Sequence, residues 1–312
     1  MRTLGEAASR VSRETGPFEE HSLLAPAASA ARPSEAPSLT RRSFIAAAAC
    51  VAAGALAGCG GPAEDAANPV AQDDPCPYNW NDLIWDGGRP VYRVNDQILS
   101  KWGVDVSEHQ LEVEWGPVAE AGATFAFVRI GNRGATKGTL DVDDYFMQNV
   151  TGAHKVGIPV HAYFFSQSVT EEEAREEAAF ALAQVHKAEA EGVSFGIIAY
   201  DHEEVELDGA RANNLDSDQF AANARAFCEV VQQSGYEAMI YGNQRDLLRL
   251  TPAERKDYPL WLAEYGIDEP TAGFNFAIWQ YTNQGTVPGI PTNADLNIWF
   301  EATQPEQDVS AS

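Results

Sequence analysis

Residues 159–203 read PVHAYFFSQSVTEEEAREEAAFALAQVHKAEAEGVSFGIIAYDHE. They open with a short apolar run of strand character, Pro159–Phe165, and close with a second, Phe195–Tyr200. Between them Thr170–Glu191 has helical character. Thr170 followed by Glu171, Glu172 and Glu173 is a good N-cap with first-turn carboxylates that suit the positive end of the helix dipole. Strand, helix and strand in succession imply a parallel sheet covered by helices.

The same alternation extends in both directions. Further strands are predicted at Gly103–Val106, Thr124–Ile130, Glu237–Tyr241, Leu260–Ala263, Phe276–Tyr281 and Leu296–Phe300. Further helices are predicted at Glu112–Ala121, Asp143–Val156 and Ser217–Ser234. Eight strands in one α/β domain of this length predict a TIM-like (β/α) barrel. The last three strands lie close together and leave little room for helices, so the barrel is expected to be irregular on its C-terminal side. It should occupy residues 102–302, preceded by an arm over 78–101 with a turn at Asp86-Gly87-Gly88. Residues 303–312 read as a disordered tail.

The formal charge is −25. Residues 1–58 carry six Arg and five Glu, so the remainder is strongly acidic. Such a surface repels nucleic-acid phosphates and excludes nucleic acid as a partner. It also argues against holding an anionic polymer by bulk charge; an anionic substrate needs a local site. The scattered His and the lack of any Cys-x-x-Cys give no metal-site spacing, and no cofactor is expected.

Thr40-Arg41-Arg42-Ser43-Phe44-Ile45 resembles a twin-arginine export signal, with the paired Arg41 and Arg42 ahead of an apolar run from Phe44 to Gly58. That run is too short to span a bilayer comfortably and fits the h-region of a signal peptide. It ends Leu56-Ala57-Gly58-Cys59, which resembles a bacterial lipobox. The resemblance implies cleavage before Cys59, lipid on Cys59, and an extracytoplasmic protein anchored to the bacterial cell membrane. Residues before Thr40 read as a disordered n-region, or as a start placed too far upstream. Residues 59–77, small, acidic and Pro-rich, read as a flexible linker. Of the other cysteines, Cys76 and Cys228 remain in the mature chain. A disulfide is permissible outside the cell, but Cys228 shares an apolar helical face with Phe220, Ala224 and Val231, where a free buried thiol is expected.

Several predicted strands end in acidic or aromatic residues, and in such a barrel the chemistry sits at the C-terminal mouth of the strands. Asp201 and Glu203 follow Phe-Gly-Ile-Ile-Ala-Tyr. In an extended strand, residues i and i+2 point to one side, about 6.6–6.8 Å apart at Cα. Two carboxylates can then face one bond, as glycoside hydrolysis requires. Glu112-Val113-Glu114 and Asp141-Val142-Asp143 share this spacing but read as solvated helix or loop acids.

The ordered set of motifs resembles glycoside hydrolase family 25, the Chalaropsis-type lysozymes. Gly103-Val104-Asp105-Val106-Ser107-Glu108-His109-Gln110 is similar to that family's opening strand. Phe127-Val128-Arg129-Ile130-Gly131, Gly157 to Ser166, and Tyr200-Asp201-His202-Glu203 follow in the family's order. So do Ile240-Tyr241, Leu260 to Tyr265, Trp279-Gln280-Tyr281 and Asp295-Leu296-Asn297. The resemblance implies cleavage of the β-1,4 bond between N-acetylmuramic acid and N-acetylglucosamine in peptidoglycan, whose glycan strands are the expected partner. Glu203 would be the general acid. Asp201 would act as nucleophile or orient the substrate's 2-acetamido group. Asp105 and Asp295 would complete the acidic mouth. Tyr163, Tyr241, Trp261 and Trp279 would serve as sugar platforms, with Glu264, Tyr265 and Gln280 also binding substrate. Two departures fall at the rim: Leu111 where the family usually has Gly, and Val113-Glu114-Trp115 for Ile-Asp-Trp. Alternation turns His202 away from the acid pair and into the barrel wall.

Two other functions fit parts of this pattern. A catalytically silent peptidoglycan-binding lipoprotein is disfavoured by acids at all four family positions. A chitinase-like enzyme acting on N-acetylhexosamine glycans would carry a further Asp two places before the pair, where this chain has Ala199.

Overall fold

The computed structural model describes residues 74–301. Arg41, Arg42, Cys59 and the tail 303–312 lie outside the described residues.

The arm is a small antiparallel sheet of β1 (Leu83–Asp86), β2 (Arg89–Val94) and β3 (Gln97–Ile98). The expected turn is present: Gly87 and Gly88, at φ +59° and +83°, join Asp86 to its partner Arg89. Two positive φ values match the twist of the strands they connect, which is why Gly fills both places.

The barrel elements follow as β4 (Ser100–Val106), α1 (Trp115–Glu120), β5 (Ala126–Arg133), β6 (Leu140–Val142), α2 (Phe146–Lys155), β7 (Val160–Ser166), α3 (Glu171–Ala190) and β8 (Phe195–His202). Then come α4 (Ser217–Gln233), β9 (Glu237–Asn243), α5 (Gln244–Leu247), α6 (Pro252–Asp257), β10 (Leu260–Ala263), β11 (Ile278–Gly285) and β12 (Ala294–Phe300). Eight strands close in the order β4-β12-β11-β10-β9-β8-β7-β5, sealed by β4–β5 pairing, with β6 flanking β5. All neighbours in the ring are parallel except those of β12, which runs antiparallel to both β11 and β4.

Thr170 caps α3 as expected, its hydroxyl accepting the Glu173 N–H. Long helices α2, α3 and α4 cover the β5–β9 side. No helix lies between β10 and β11 or between β11 and β12, the irregular side that the close spacing of the last strands predicts. The arm covers that side instead. Tyr78 stacks on Phe300 at 4.3 Å between ring centroids and donates its hydroxyl to the Phe276 carbonyl at 2.6 Å. Trp85 meets Trp279 and Tyr281 edge-on at 6.3 and 5.6 Å. Arg89 lies over the Trp102 ring at 3.6 Å.

The end of the expected flexible linker is therefore corrected. Asp74 is buried and pairs with Arg255 through two hydrogen bonds of 2.5 and 2.9 Å, and Cys76 N–H donates to the Gly273 carbonyl. A buried charge needs such a partner, so the chain is tied down from Asp74 onward. Cys76 and Cys228 are free thiols, and burial in α4 pushes the Cys228 thiol up.

The barrel interior is filled by Phe125, Phe127, Tyr163, Ile197, Ala199, Met239, Tyr241, Trp261, Ala263 and Ile278. Gly103 is required there: a Cβ would come within 2.5–2.7 Å of Phe125. The larger apolar cluster lies outside the strands, between them and their covering helices and arm.

Candidate active site

The acids that the sequence places at strand ends converge on one mouth. Asp105 and Asp201 are the penultimate residues of β4 and β8. Because β12 is antiparallel, its first half reaches the same end of the barrel, and Asp295 sits directly opposite Asp105 in the β4–β12 register. Asp105, Asp201 and Asp295 are all buried, at 1%, 1% and 6% exposure. Glu203 lies one residue past β8 and is partly exposed.

A buried network fixes Asp105. Its Oδ2 accepts from Gln280 Nε2 at 2.7 Å and from Asn297 Nδ2 at 2.9 Å. Asn297 Oδ1 in turn accepts from Trp261 Nε1 at 2.8 Å. Gln280 Oε1 accepts from the Tyr241 hydroxyl at 2.8 Å and from the Tyr265 hydroxyl. Both amides use donor and acceptor ends at once, so neither can flip without setting like groups against each other. Tyr241 is also the cross-strand neighbour of Asp201. The network thus runs from Asp105 through Gln280 to the strand beside the acid pair.

The aromatic residues divide differently from expectation. Tyr265 is 38% exposed on the rim and can offer a ring to a ligand. Trp261 is 1% exposed, packed against a tilted Phe127 at 4.3 Å and edge-on with Tyr241 at 4.9 Å, so its ring is buried rather than open as a platform. Tyr163 and Tyr241, at 2% and 3%, are buried in the apolar cluster of the barrel interior. Trp279 is fully buried on the outer wall among Trp85, Tyr281 and the arm, and does not reach the mouth. Side chains alternate along a strand, so Gln280 pointing inward turns Trp279 outward. Glu264 braces the β10–β11 loop: its carboxylate accepts the Thr271 N–H at 2.9 Å and the Thr271 hydroxyl.

Asp143, expected to be a solvated acid, is 3% exposed. Its Oδ2 accepts from Arg129 Nε at 2.8 Å and from the Glu108 N–H at 2.9 Å. Burial pushes the Asp143 carboxyl up while Arg129 beside it pulls it down. Arg129 also contacts Glu108 at 2.8 Å and His109 at 3.4 Å. It therefore ties the turn after β4 to β5 at the mouth. Arg129 and Asn297 join the site as supporting residues that the spacing of the acids does not reveal. The available signal was a charge within an apolar strand, Phe-Val-Arg-Ile-Gly, which requires a buried partner.

Leu111 takes φ +58°, ψ −145°, a conformation that suits glycine. Holding a Leu there costs about 1–3 kcal/mol. The departure at this position alters the rim's backbone energetics and leaves the acids untouched. His202 is fully buried against Phe220 of α4 at 5.5 Å, facing away from the acid pair. Burial, with Arg249 adding to it, holds its pKa down to about 4, so near neutral pH the imidazole carries no charge behind the pair.

Among the described residues, no group of three or more His, Cys, Asp or Glu is placed to hold a metal ion. The arrangement can donate a proton from one carboxyl group and present a second carboxylate to a developing positive charge.

The chain matches the family model described as glycosyl hydrolases family 25 over residues 104–290. It is 26% identical over 202 residues to the autolytic lysozyme of Clostridium acetobutylicum, covering 64% of this chain and 56% of that protein. It is 28% identical over 218 residues to lysozyme M1 of Streptomyces globisporus, covering 62% of this chain and 66% of that protein. The chain thus spans between half and two thirds of the length of these curated relatives. In fold it resembles the modular autolysin LytC from Streptococcus pneumoniae, solved in complex with a synthetic peptidoglycan ligand. The TM-score is 0.58 at 21% identity, over 70% of this chain and 52% of that one.

Proposed function

The chain belongs to glycosyl hydrolases family 25, and from that premise we propose that it is a muramidase. It hydrolyses the β-1,4 bond between N-acetylmuramic acid and N-acetylglucosamine in peptidoglycan, on an irregular variant of the TIM barrel. The observation that carries this reading is the convergence of Asp105, Asp201, Glu203 and Asp295 on one barrel mouth. There Gln280 and Asn297 hold Asp105 in place. The lysozyme relatives support the same substrate.

In this mechanism Glu203 gives its proton to the glycosidic oxygen as the bond breaks. Asp201 supports the positive charge growing at the sugar carbon, either by attacking it or by orienting the 2-acetamido group. Glu203 then takes a proton from the incoming water, which restores the enzyme. Tyr265 contacts sugar at the rim, while Asp105 and Asp295 keep the mouth acidic; Gln280, expected to bind substrate, is instead fully buried with both ends of its amide engaged and acts by holding Asp105.

The test is to digest purified sacculi, reduce the products with borohydride and analyse them by mass. N-acetylmuramitol at the new ends is the expected product. N-acetylglucosaminitol would assign the wrong bond, and absence of new ends would remove the activity.

We further propose that the enzyme works outside the cytoplasmic membrane, anchored by lipid on Cys59. This rests on Arg41-Arg42 and Leu56-Ala57-Gly58-Cys59. Cys59→Ala should release the protein from the membrane fraction, and undiminished retention would sink the anchor.

A further inference from the structure

The position of Glu203 relative to the barrel raises a question of support. The last β7–β8 pair is Ser166 with His202, and the last β8–β9 pair is Asp201 with Tyr241. Glu203 lies beyond both ladders. In the two residues that follow strand β8 most closely on either side of Glu204, main-chain groups are bound by side-chain amides from elsewhere. Gln167 Nε2 donates to the Glu203 carbonyl at 2.8 Å. Asn213 Oδ1 accepts the Val205 N–H at 2.9 Å, and Asn213 Nδ2 donates to the Val205 carbonyl at 2.7 Å.

Gln167 is itself firmly held. It is fully buried, just past the end of β7. Its N–H donates to Glu177 Oε1 at 3.3 Å, and its carbonyl accepts from Arg211 at 3.3 Å. Glu177 is locked by Arg133 at 2.8 Å and by the Ser166 hydroxyl at 2.6 Å. Gln167 Nε2 also donates to the Ser166 carbonyl at 2.9 Å. Turning the amide over would set its oxygen against two carbonyl oxygens, so the donor end must face Glu203.

We propose that Gln167 is the positioning residue for Glu203, with Asn213 supporting it by holding Val205, two residues further along the same segment. Neither acts on substrate. Each fixes the backbone from which the acid's side chain projects, past the point where the sheet can do so. The proposal rests on Glu203 being the general acid.

The experiment measures kcat and KM on soluble peptidoglycan fragments, alongside thermal unfolding, for the wild type and three variants. Gln167→Leu and Asn213→Ala remove the two clamps. Asn223→Leu removes a fully buried amide in the same wall, one that donates to the Ser168 carbonyl and does not touch residues 203–205. A misplacement of about 1 Å can cost on the order of 10²-fold in rate. Gln167→Leu is therefore expected to lower kcat by about 10²-fold, and Asn213→Ala by about tenfold, with KM within about twofold. Asn223→Leu should lower the unfolding temperature and leave kcat alone. The proposal is overturned if kcat of both clamp variants stays at the wild-type value, or falls only as far as that of Asn223→Leu. If Gln167→Leu does not fold, Asn213→Ala alone decides by the same criterion. A wild type with no activity on the fragments is a different result: it removes the muramidase assignment, and this inference with it.

Discussion

Glu203→Gln is expected to reduce the clearing of purified walls by about 10²–10⁴-fold, the range that a positioned general acid contributes. Gln has nearly the same shape as Glu, so its packing survives, but it has no proton to give to a poor leaving group. Glu203 is only partly buried, at the end of a rigid strand, and its main chain is held independently of the carboxyl group. The variant should therefore unfold at the wild-type temperature. Turbidity loss measured on the folded variant checks the result, and unchanged clearing would remove Glu203 from the chemistry.

Asp201→Asn is expected to cost about 10²–10³-fold, the loss that follows removal of one preorganised group acting on transition-state charge. Asp201 is 1% exposed, on the strand beside Tyr241, so a neutral amide there cannot borrow compensating charge from solvent. This substitution gives the rate but not the role. For the role, Asp201→Ala is supplied with azide. If Asp201 attacks the sugar, azide takes its place and a glycosyl azide of inverted configuration accumulates. If Asp201 orients the acetamido group, no such product forms. Wild-type rates in both Asp201 variants would overturn the assignment.

Most of the barrel was legible because parallel strands are apolar runs bounded by helices with clear caps. Leu260–Ala263 is observed with the limits that its composition predicts. The remaining strands differ at their ends, where pairing rather than hydrophobicity decides the last residue. Asp105, Asp201 and Asp295 were legible because acids at the ends of apolar strands have no core to fill. Trp279 was not, since its motif names an aromatic residue without saying which face it takes; only the inward Gln280 settles that. Asp143 looked like a loop acid because its partner, Arg129, lies fourteen residues earlier in the chain. The covering role of the arm was hidden for a related reason. Tyr78 and Trp85 meet partners some two hundred residues later, and no local pattern records such a contact.

The antiparallel course of β12 also sets the order in which the protein can become an enzyme. Asp105 receives its amide donors from Gln280 and Asn297, the latter 192 residues later in the chain. During synthesis Asp201 and Glu203 emerge well before either amide. An incomplete chain therefore holds the acid pair without a closed ring and without a fixed Asp105. Contacts of such long range carry a loop-closure cost and form late and slowly. Joining the first barrel strand to the last is thus a maturation step written into the topology: the candidate mouth is assembled only once β12 has been made.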